Sequence, residues 1–335
     1  MSKITIYDIA QKAGVSIATV SRVMNNSDEI SDRTRKKVRR IADELDYYPQ
    51  AYAQGLARRK KDRIMIVVPV ISNYFFMEVL AGIQAKIHEN NYELNIFNVD
   101  SDEETIYEQV KTIIKRQSAD GYILISLHFS SNRFENLLKY DTPITLVDET
   151  YTNIDSVSVN NVEGTRQAMK YFLKKGCRRI ALVGASDRSK PNRQRMAEYK
   201  NILRSEGIEV NESLIATGKD MARDGFSERN GYEAMKKILH QQYAPDACFC
   251  VSDIQAIGAM KAMREANLNI PVIGYDDITI AKYIGLSTIR QPMYEMGNTA
   301  AEYLLKRMDD KMAEITQKTF QAELILRKST EIELA

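Results

Sequence analysis

Apolar residues repeat at helical spacing from Ile6 to Ala13, near the start of the chain, and predict a helix with one buried stripe. Gly14 follows that stripe, where a residue that tolerates the left-handed conformation commonly ends a helix. Ser16 can accept a hydrogen bond from the free N–H groups of a second helix, which would bury Val20 and Val23. Two helices joined by a short turn that contains glycine form the helix-turn-helix pattern.

A third amphipathic stripe covers residues 32–45, with Ser31 as its cap and Pro49 beyond its end. The same region is basic: residues 1–63 carry 14 Lys and Arg against 8 Asp and Glu, which leaves 33 against 37 for the rest of the chain. A basic segment attached to a mildly acidic body is typical of a module that binds a polyanion.

The second predicted helix leaves small, apolar and hydrogen-bonding side chains on its outer face. In helix-turn-helix proteins this helix enters the major groove of DNA, where apolar groups contact the thymine methyl and Arg22 can bond guanine O6 and N7. A three-helix bundle with a mildly apolar exposed patch is the alternative interpretation. The residues of this region that we expect to contact DNA are Thr5, Tyr7, Ser16, Ile17, Ala18, Thr19, Ser21, Arg22 and Asn25.

From Arg63 onward, short apolar runs alternate with amphipathic helical patterns. The predicted strands cover residues 64–70, 93–99, 121–127, 143–148, 179–185, 247–252 and 271–276. This alternation predicts parallel sheets covered by helices, and the strands are too many for one sheet of ordinary size. We therefore predict an α/β body of two doubly wound subdomains, with a ligand in the cleft that faces the carboxyl ends of the strands.

Polar and aromatic side chains follow the predicted strands, where such a ligand would be held. Carboxylates accept hydrogen bonds from two hydroxyl groups at once, so the set suits a polyhydroxylated ligand. Two of these positions have an alternative interpretation, namely Phe76 in the core and Glu149 in solvent. The residues that we expect to bind the ligand are Asn73, Phe75, Phe76, Asp148, Arg195, Phe226, Ser252, Asp276 and Gln291.

No sequence pattern predicts catalysis, a cofactor or a metal site. The chain has no Gly-x-x-x-x-Gly-Lys-Ser/Thr phosphate loop and no Gly-x-Ser-x-Gly elbow, and its three histidines lie far apart. Cys248 and Cys250 share one face of a predicted strand, and we expect them to be buried there. Because the sequence has no signal peptide and no apolar run long enough for a membrane span, we expect a cytoplasmic, nucleoid-associated protein.

Several segments, in order along the chain, resemble the lactose-repressor (LacI/GalR-type) family of bacterial transcription regulators. They are "TIYDIAQKAGVSIATVSRVMN", the turn at Pro49, "AYAQGLA" and "VVPVISNYFFMEVLAGI". The resemblance implies a helix-turn-helix DNA-binding domain over 1–49, a hinge helix over 50–62, and a periplasmic-binding-protein-like domain for effector binding and dimerisation over 63–335. Within that domain it implies subdomains of about 63–160 plus 291–319 and 161–290 plus 320–335. Leu56 matches the leucine that wedges into the minor groove of DNA.

The resemblance further implies a repressor of carbohydrate-utilisation genes that binds a palindromic operator as a homodimer under the control of a small sugar-like effector. A solute-binding protein of a sugar transport system is the alternative, although it explains only the body of the chain. Ser252, Asn160 and Glu198 stand where the family often has Asn, Asp and Gly, so the identity of the sugar does not carry over. Only "KSTEIELA" follows Arg327, too short for leucine heptads, and we expect a dimer rather than a tetramer.

Overall fold

The chain forms two compact units, Met1–Asp62 and Arg63–Ala335. The computed structural model describes residues 4–24, 29–47, 61–69, 74–99, 102–219, 222–241 and 244–331. Three of the residues expected to bind DNA or effector, Asn25, Leu56 and Asn73, therefore lie outside the described residues, as does most of the predicted hinge helix.

The described part of the amino-terminal unit contains three helices: α1 (Ile6–Ala13), α2 (Ile17–Met24) and α3 (Asp32–Glu44). Gly14 ends α1 in the left-handed conformation, with φ of 64°. Ser16 Oγ accepts a hydrogen bond from Thr19 N at 3.1 Å at the start of α2, and Ser31 Oγ caps α3 through Thr34 N at 3.4 Å. The caps and the turn are those that the sequence predicts for a helix-turn-helix.

A small apolar core holds these helices together. Its side chains come from all three helices, and half-buried neighbours such as Leu45 surround it. The buried members are Ile9, Ala10, Ala13, Val20, Val23, Val38, Ile41 and Ala42.

The first sheet of the larger unit has six strands in the order β11-β5-β4-β3-β1-β2, and all of its neighbouring strands are parallel. Its strands are β1 (Arg63–Val68), β2 (Glu93–Asn98), β3 (Gly121–Ile125), β4 (Ile144–Val147), β5 (Asp155–Val159) and β11 (Gln317–Phe320). The helices that connect or cover them are α4 (Tyr74–Glu89), α5 (Glu103–Lys115), α6 (Ser131–Leu138) and α12 (Met293–Asp309).

The second sheet has six strands in the order β12-β10-β9-β8-β6-β7, parallel except for β12, which runs antiparallel to β10 at one edge. Its strands are β6 (Ile180–Val183), β7 (Ile215–Ala216), β8 (Ala247–Cys250), β9 (Val272–Asp276), β10 (Ser287–Arg290) and β12 (Glu323–Ile325). Its helices are α7 (Asn161–Lys174), α8 (Lys190–Ser205), α9 (Glu228–Leu239), α10 (Asp253–Glu265) and α11 (Thr279–Ile284). Short 3-10 turns lie at Glu212–Leu214, Ala222–Gly225 and Lys328–Thr330.

All seven predicted strands are present, with most of their carboxyl ends shorter than expected. Near the carboxyl terminus, Phe320 pairs in the first sheet and Glu323–Ile325 pairs in the second. The predicted class, two doubly wound α/β subdomains, is confirmed. No helix among the described residues is long and apolar enough to cross a bilayer.

Helices α4 and α12 approach each other backbone to backbone on one face of the first sheet. A Cβ atom on Gly82 would lie 2.0 Å from Tyr294 O, and one on Gly297 would lie 2.0 Å from Val79 O. Only glycine permits this contact, which joins the helix after β1 to the last long helix of the chain.

Candidate functional site

The outer face of α2 carries the side chains expected to read DNA. Val20 and Val23 are fully buried, whereas Ile17 is 41% exposed and both Ala18 and Arg22 are exposed. Such an apolar first turn on a solvent-facing helix is the pattern of a recognition helix. Thr19 and Ser21, on the same helix, are half-buried.

Arg22 has one charged neighbour among the described residues. Its Nε lies 3.6 Å from Glu29 Oε2, and both side chains are more than half exposed. An exposed pair of this kind contributes little to stability, so the guanidinium is available to exchange partners.

Thr5 and Tyr7 lie at the start of α1. Thr5 N and Thr5 Oγ1 both donate to Asp8 Oδ2 at 2.7 Å, which fixes the first turn of the helix. Tyr7 is 66% exposed, unusual for an aromatic ring on a short helix. An exposed ring and a helix amino terminus are both suited to contact with a phosphate backbone.

In the larger unit, three strands end in backbone of left-handed φ that L-residues rarely adopt. Ser126 after β3 has φ of 51°, Asp148 after β4 has φ of 61°, and Asp276 at the end of β9 has φ of 118°. Ser126 Oγ donates to Asp148 Oδ2 at 2.8 Å. Strained backbone at the carboxyl ends of parallel strands marks these turns as a candidate ligand site.

Arg195 on α8 is buried, and contacts within the protein fix its guanidinium group. Its Nε donates to Asn161 Oδ1 at 2.9 Å, and its Nη1 donates to the carbonyl of Val251 at 2.5 Å. The guanidinium carbon lies 3.5 Å from the centre of the Tyr275 ring, in a cation–π contact. These contacts fix the plane of the guanidinium before any ligand binds.

Asp276 and Asp148 supply the negative charge near Arg195. Burial raises the pKa of Asp276 to about 7, against the opposing effects of Arg195 and of a hydrogen bond from Gln291. Burial also raises the pKa of Asp148, and the positive charges of His128 and Arg195 and the Ser126 hydroxyl oppose that shift. The two carboxyl groups and the guanidinium therefore share one electrostatic environment.

Gln291 directly follows β10 and contacts the Asp276 carboxyl group. Its Nε2 donates to Asp276 Oδ1 at 2.6 Å, and its buried Oε1 accepts no hydrogen bond within the described part of the chain. A buried acceptor without a donor is costly, so such a group points to a ligand that donates a hydrogen bond.

The aromatic and hydroxyl residues among those expected to bind the ligand mainly pack or form hydrogen bonds within the protein. Phe75 and Phe76 are buried, in edge-to-face contact with ring centroids 5.5 Å apart, and both belong to the apolar core. Phe226 is half-buried after the 3-10 turn Ala222–Gly225. Ser252 Oγ accepts from Gln255 N at 3.3 Å and donates to Gln255 Oε1 at 2.9 Å, as the cap of α10.

The residues that depart from the family pattern each make a structural contact. Besides the cap at Ser252, Asn160 Oδ1 caps α7 through Glu163 N at 3.0 Å. Glu198 Oε1 lies 2.8 Å from Arg166 Nη2 in an ion pair between α8 and α7.

The sequence does not reveal a charged cluster centred on Glu149. The alternative interpretation of a solvated Glu149 is wrong, since only 6% of the residue is exposed. Its Oε2 lies 2.9 Å from His128 Nδ1, and its Oε1 accepts from Thr150 N at 2.7 Å and pairs with Lys190. His128 and Lys190 lie 21 and 41 residues away in sequence, so only their adjacency in the fold brings them together.

Family models match both parts of the chain. Residues 5–50 match the bacterial regulatory proteins, lacI family, and residues 169–330 match a periplasmic binding protein-like domain. The ribose operon repressor of Haemophilus influenzae is 33% identical over 335 residues, covering 97% of this chain and 98% of the relative. The chain belongs to the LacI family.

Solved structures of LacI-family proteins share its architecture. The lac repressor dimer bound to operator and the anti-inducer ONPF superposes with a TM-score of 0.84 at 26% identity, covering 98% of this chain and 99% of that one. A LacI-family regulator from Enterococcus faecium with bound ribose gives a TM-score of 0.68 at 28% identity, covering 80% of this chain and 98% of that one.

Membership in the LacI family confirms the expected class of protein and the expected domains. The chain is a transcriptional regulator with a DNA-binding helix-turn-helix and a two-subdomain periplasmic-binding-protein-like body. Its relatives are repressors and regulators, and the chain is accordingly a regulator rather than an enzyme. The alternative of a transport solute-binding protein fails, because it leaves the amino-terminal module without a role.

Proposed function

We propose that this LacI-family regulator represses carbohydrate-utilisation genes, binds a near-palindromic operator as a homodimer, and responds to a small sugar-like effector held between its two subdomains. The observation that carries the proposal is the arrangement around Arg195, where a preset guanidinium lies among buried acceptors. Asp148, Asp276 and Gln291 Oε1 provide those acceptors.

The chemistry of this arrangement favours a polyhydroxylated molecule. Sugar hydroxyls donate to carboxylate and amide oxygens and accept from a guanidinium, so one small ring satisfies several of these groups together. Leaving any of them buried and unpaired costs free energy, which is the basis of specificity at such a site. A purely apolar ligand would leave Gln291 Oε1 unpaired and would add no hydrogen bond to the two carboxyl groups.

Two relatives suggest which sugar to test first. The Haemophilus influenzae relative is named a ribose operon repressor, and the Enterococcus faecium structure contains ribose. D-Ribose is therefore the first probe for this chain, although the three departures from the family pattern leave other mono- and disaccharides in the test.

For operator recognition, we assign the major-groove contacts to the outer face of α2, with Arg22 as the residue that reads a guanine. Thr5, Tyr7 and Ser16 are suited to phosphate contacts. Asn25 and the minor-groove wedge Leu56 complete the proposed contact set from outside the described residues.

The proposed dimer rests on exposed apolar side chains at the edges of the larger unit. Tyr74 and Met77 on α4 and Ile96 on the edge strand β2 are each at least 40% exposed. Tyr283 on α11 and Leu326, next to β12, are exposed on the other subdomain. Exposed aromatic and methionine side chains are enriched at interfaces between subunits, and the lac repressor structure is of a dimer.

The proposed domains are residues 1–49 for DNA, 50–62 as hinge, and 63–335 for effector and partner subunit. Within the last, the subdomains are about 63–160 plus 291–319 and 161–290 plus 320–335. As a DNA-binding regulator, the protein would act in the cytoplasm at the nucleoid.

A thermal-shift screen of mono- and disaccharides tests the effector assignment. We expect one sugar, with D-ribose tested first, to raise the unfolding temperature of the wild-type chain and to leave that of Arg195→Ala unchanged. Binding of a ligand to the native state alone stabilises it by mass action, so the shift should increase with sugar concentration. A sugar that shifts both proteins equally would place the effector away from Arg195.

A further inference from the structure

An ion pair connects the two subdomains across the cleft. Glu149 follows β4 of the first sheet, and Lys190 is the first residue of α8, which lies between β6 and β7 of the second sheet. Their side chains are in direct contact, with Lys190 Nζ donating to Glu149 Oε1. Neither residue belongs to the set proposed to bind the effector.

The pair is partly withdrawn from solvent, which distinguishes it from an ordinary surface ion pair. The Glu149 side chain is 7% exposed and that of Lys190 is 31% exposed. Removing one partner of a desolvated pair is more costly than breaking an exposed one, because the remaining charge is left buried.

Two contacts within the first subdomain fix the Glu149 carboxylate independently of Lys190. His128 Nδ1, after β3, lies 2.9 Å from Glu149 Oε2, and Thr150 N donates to Glu149 Oε1 at 2.7 Å. Glu149 is thus held by contacts within the first subdomain, and Lys190 contacts it from the second.

Further charges surround the pair from both sides of the cleft. Asp224, in the loop before α9 of the second subdomain, experiences the positive charges of Arg188 and His128. Groups from both subdomains therefore face one another here: His128 and Glu149 from the first, Arg188, Lys190 and Asp224 from the second.

We propose that Glu149, Lys190 and His128 form a clasp that stabilises the cleft in its closed arrangement and thereby determines how tightly the effector binds. This inference rests on the proposed function, since it assumes that the effector binds between the subdomains. A ligand that binds only the closed form has an apparent affinity proportional to the closed population. The clasp residues are positioning residues, which act on the effector through that population.

The first test measures the cleft without any sugar. Spin labels on Asn132→Cys in α6 and Asn201→Cys in α8 report the distance between subdomains, since both positions are exposed and all three native cysteines are buried. Each labelled chain is diluted in excess unlabelled chain, so that only distances within one subunit are measured. Lys190→Met should lengthen and broaden the distance distribution, and Lys190→Arg should restore it.

Lys200→Met is the matched control, because Lys200 lies on the same helix and pairs with Glu212 at 2.8 Å within the second subdomain. It should leave the distances unchanged. Wild-type distances in Lys190→Met, or equal lengthening in Lys200→Met, would overturn the clasp.

The second test uses D-ribose as the probe and calorimetry as the readout. We expect Lys190→Met to bind D-ribose roughly fivefold more weakly than the wild type, with Lys190→Arg and Lys200→Met close to wild type. Wild-type affinity in Lys190→Met would contradict the clasp. If the wild type binds no sugar in the screen, the proposed function fails instead, whereas the label distances still decide whether the clasp exists.

Discussion

Gln291 Nε2 donates a 2.6 Å hydrogen bond to Asp276 Oδ1 and thereby joins the end of β9 to the residue that follows β10. The amide holds the carboxyl group in a position from which solvent is largely excluded, since Asp276 is 8% exposed. Burial raises the pKa of Asp276 to about 7, so this group is partly protonated at neutral pH. The hydrogen bond therefore holds the Asp276 carboxyl group as an acceptor for a ligand. Burial of that carboxyl group lowers the folding stability when the group is ionised.

Asp276→Asn should stabilise the larger unit at high pH. Because the folded pKa lies above the ordinary value of 3.8, the wild type is most stable below that value and loses stability as the pH rises toward 7. The variant should exceed the wild type by on the order of 2–4 kcal/mol at pH 8, and the difference should vanish near pH 4. Urea unfolding at both pH values measures this difference, with the exposed Asp309→Asn as control. A pH-independent difference would mean that the charge of Asp276 is not the cause.

Arg195→Lys should weaken effector binding by at least about tenfold while leaving operator affinity in the absence of sugar unchanged. A lysine cannot keep both the bond to Asn161 Oδ1 and the bond to the Val251 carbonyl while stacking on Tyr275. Arg193→Lys, an exposed change two residues earlier on the same helix, is the control. Sugar titration by calorimetry decides, and equal affinities for the two variants would remove Arg195 from the site.

The sequence predicts the main acceptors of the cleft, because parallel strands present their carboxyl ends at one edge of a sheet. Asp148 and Asp276 follow apolar runs that are recognisable as buried strands, and their positive φ values strengthen the assignment. The helix-turn-helix is predictable for a similar reason, since its caps and stripes involve residues only a few positions apart.

Contacts between distant parts of the chain could not be predicted in this way. Strand β5 contains buried Asp155, whose carboxylate pairs with Arg307, 152 residues further along the chain, so the strand does not have the apolar pattern of its neighbours. Likewise, Glu149 and Lys190 meet only because the two sheets are adjacent in the folded chain. The position of Ser252 at a strand end predicts a ligand contact, but the need of α10 for an amino-terminal cap also explains a serine there.

Arg22→Ala should lower the affinity for the operator by on the order of 1–3 kcal/mol and relax base preference at one position in each half-site. Binding to random DNA should decline much less, because a base contact contributes only to specific binding. Arg33→Ala, an exposed arginine on α3, is the control and should leave base preference intact. Fluorescence anisotropy with specific and random duplexes measures both affinities; an equal loss on the two would assign Arg22 to the phosphate backbone.

Met77→Glu should weaken the homodimer by at least about tenfold, because it places a charge on the exposed apolar surface of α4 next to Tyr74. Met312→Glu is the matched control, since Met312 is 90% exposed and lies outside the proposed interface. Sedimentation velocity over a concentration series measures the dimer dissociation constant. Equal constants for the two variants, or a wild type that stays monomeric, would reject this surface as the interface.

The measurement that tests the account most directly is operator affinity with and without sugar, compared between the wild type and Asp276→Asn. A duplex recovered by in vitro selection with the full chain serves as operator, and the sugar is the one that stabilises the wild type. We expect a near-palindromic duplex, salt-dependent binding, a change in operator affinity on adding sugar to the wild type, and no change in Asp276→Asn. A wild type that binds the sugar with no change in operator affinity, or a variant that responds like the wild type, would contradict the account.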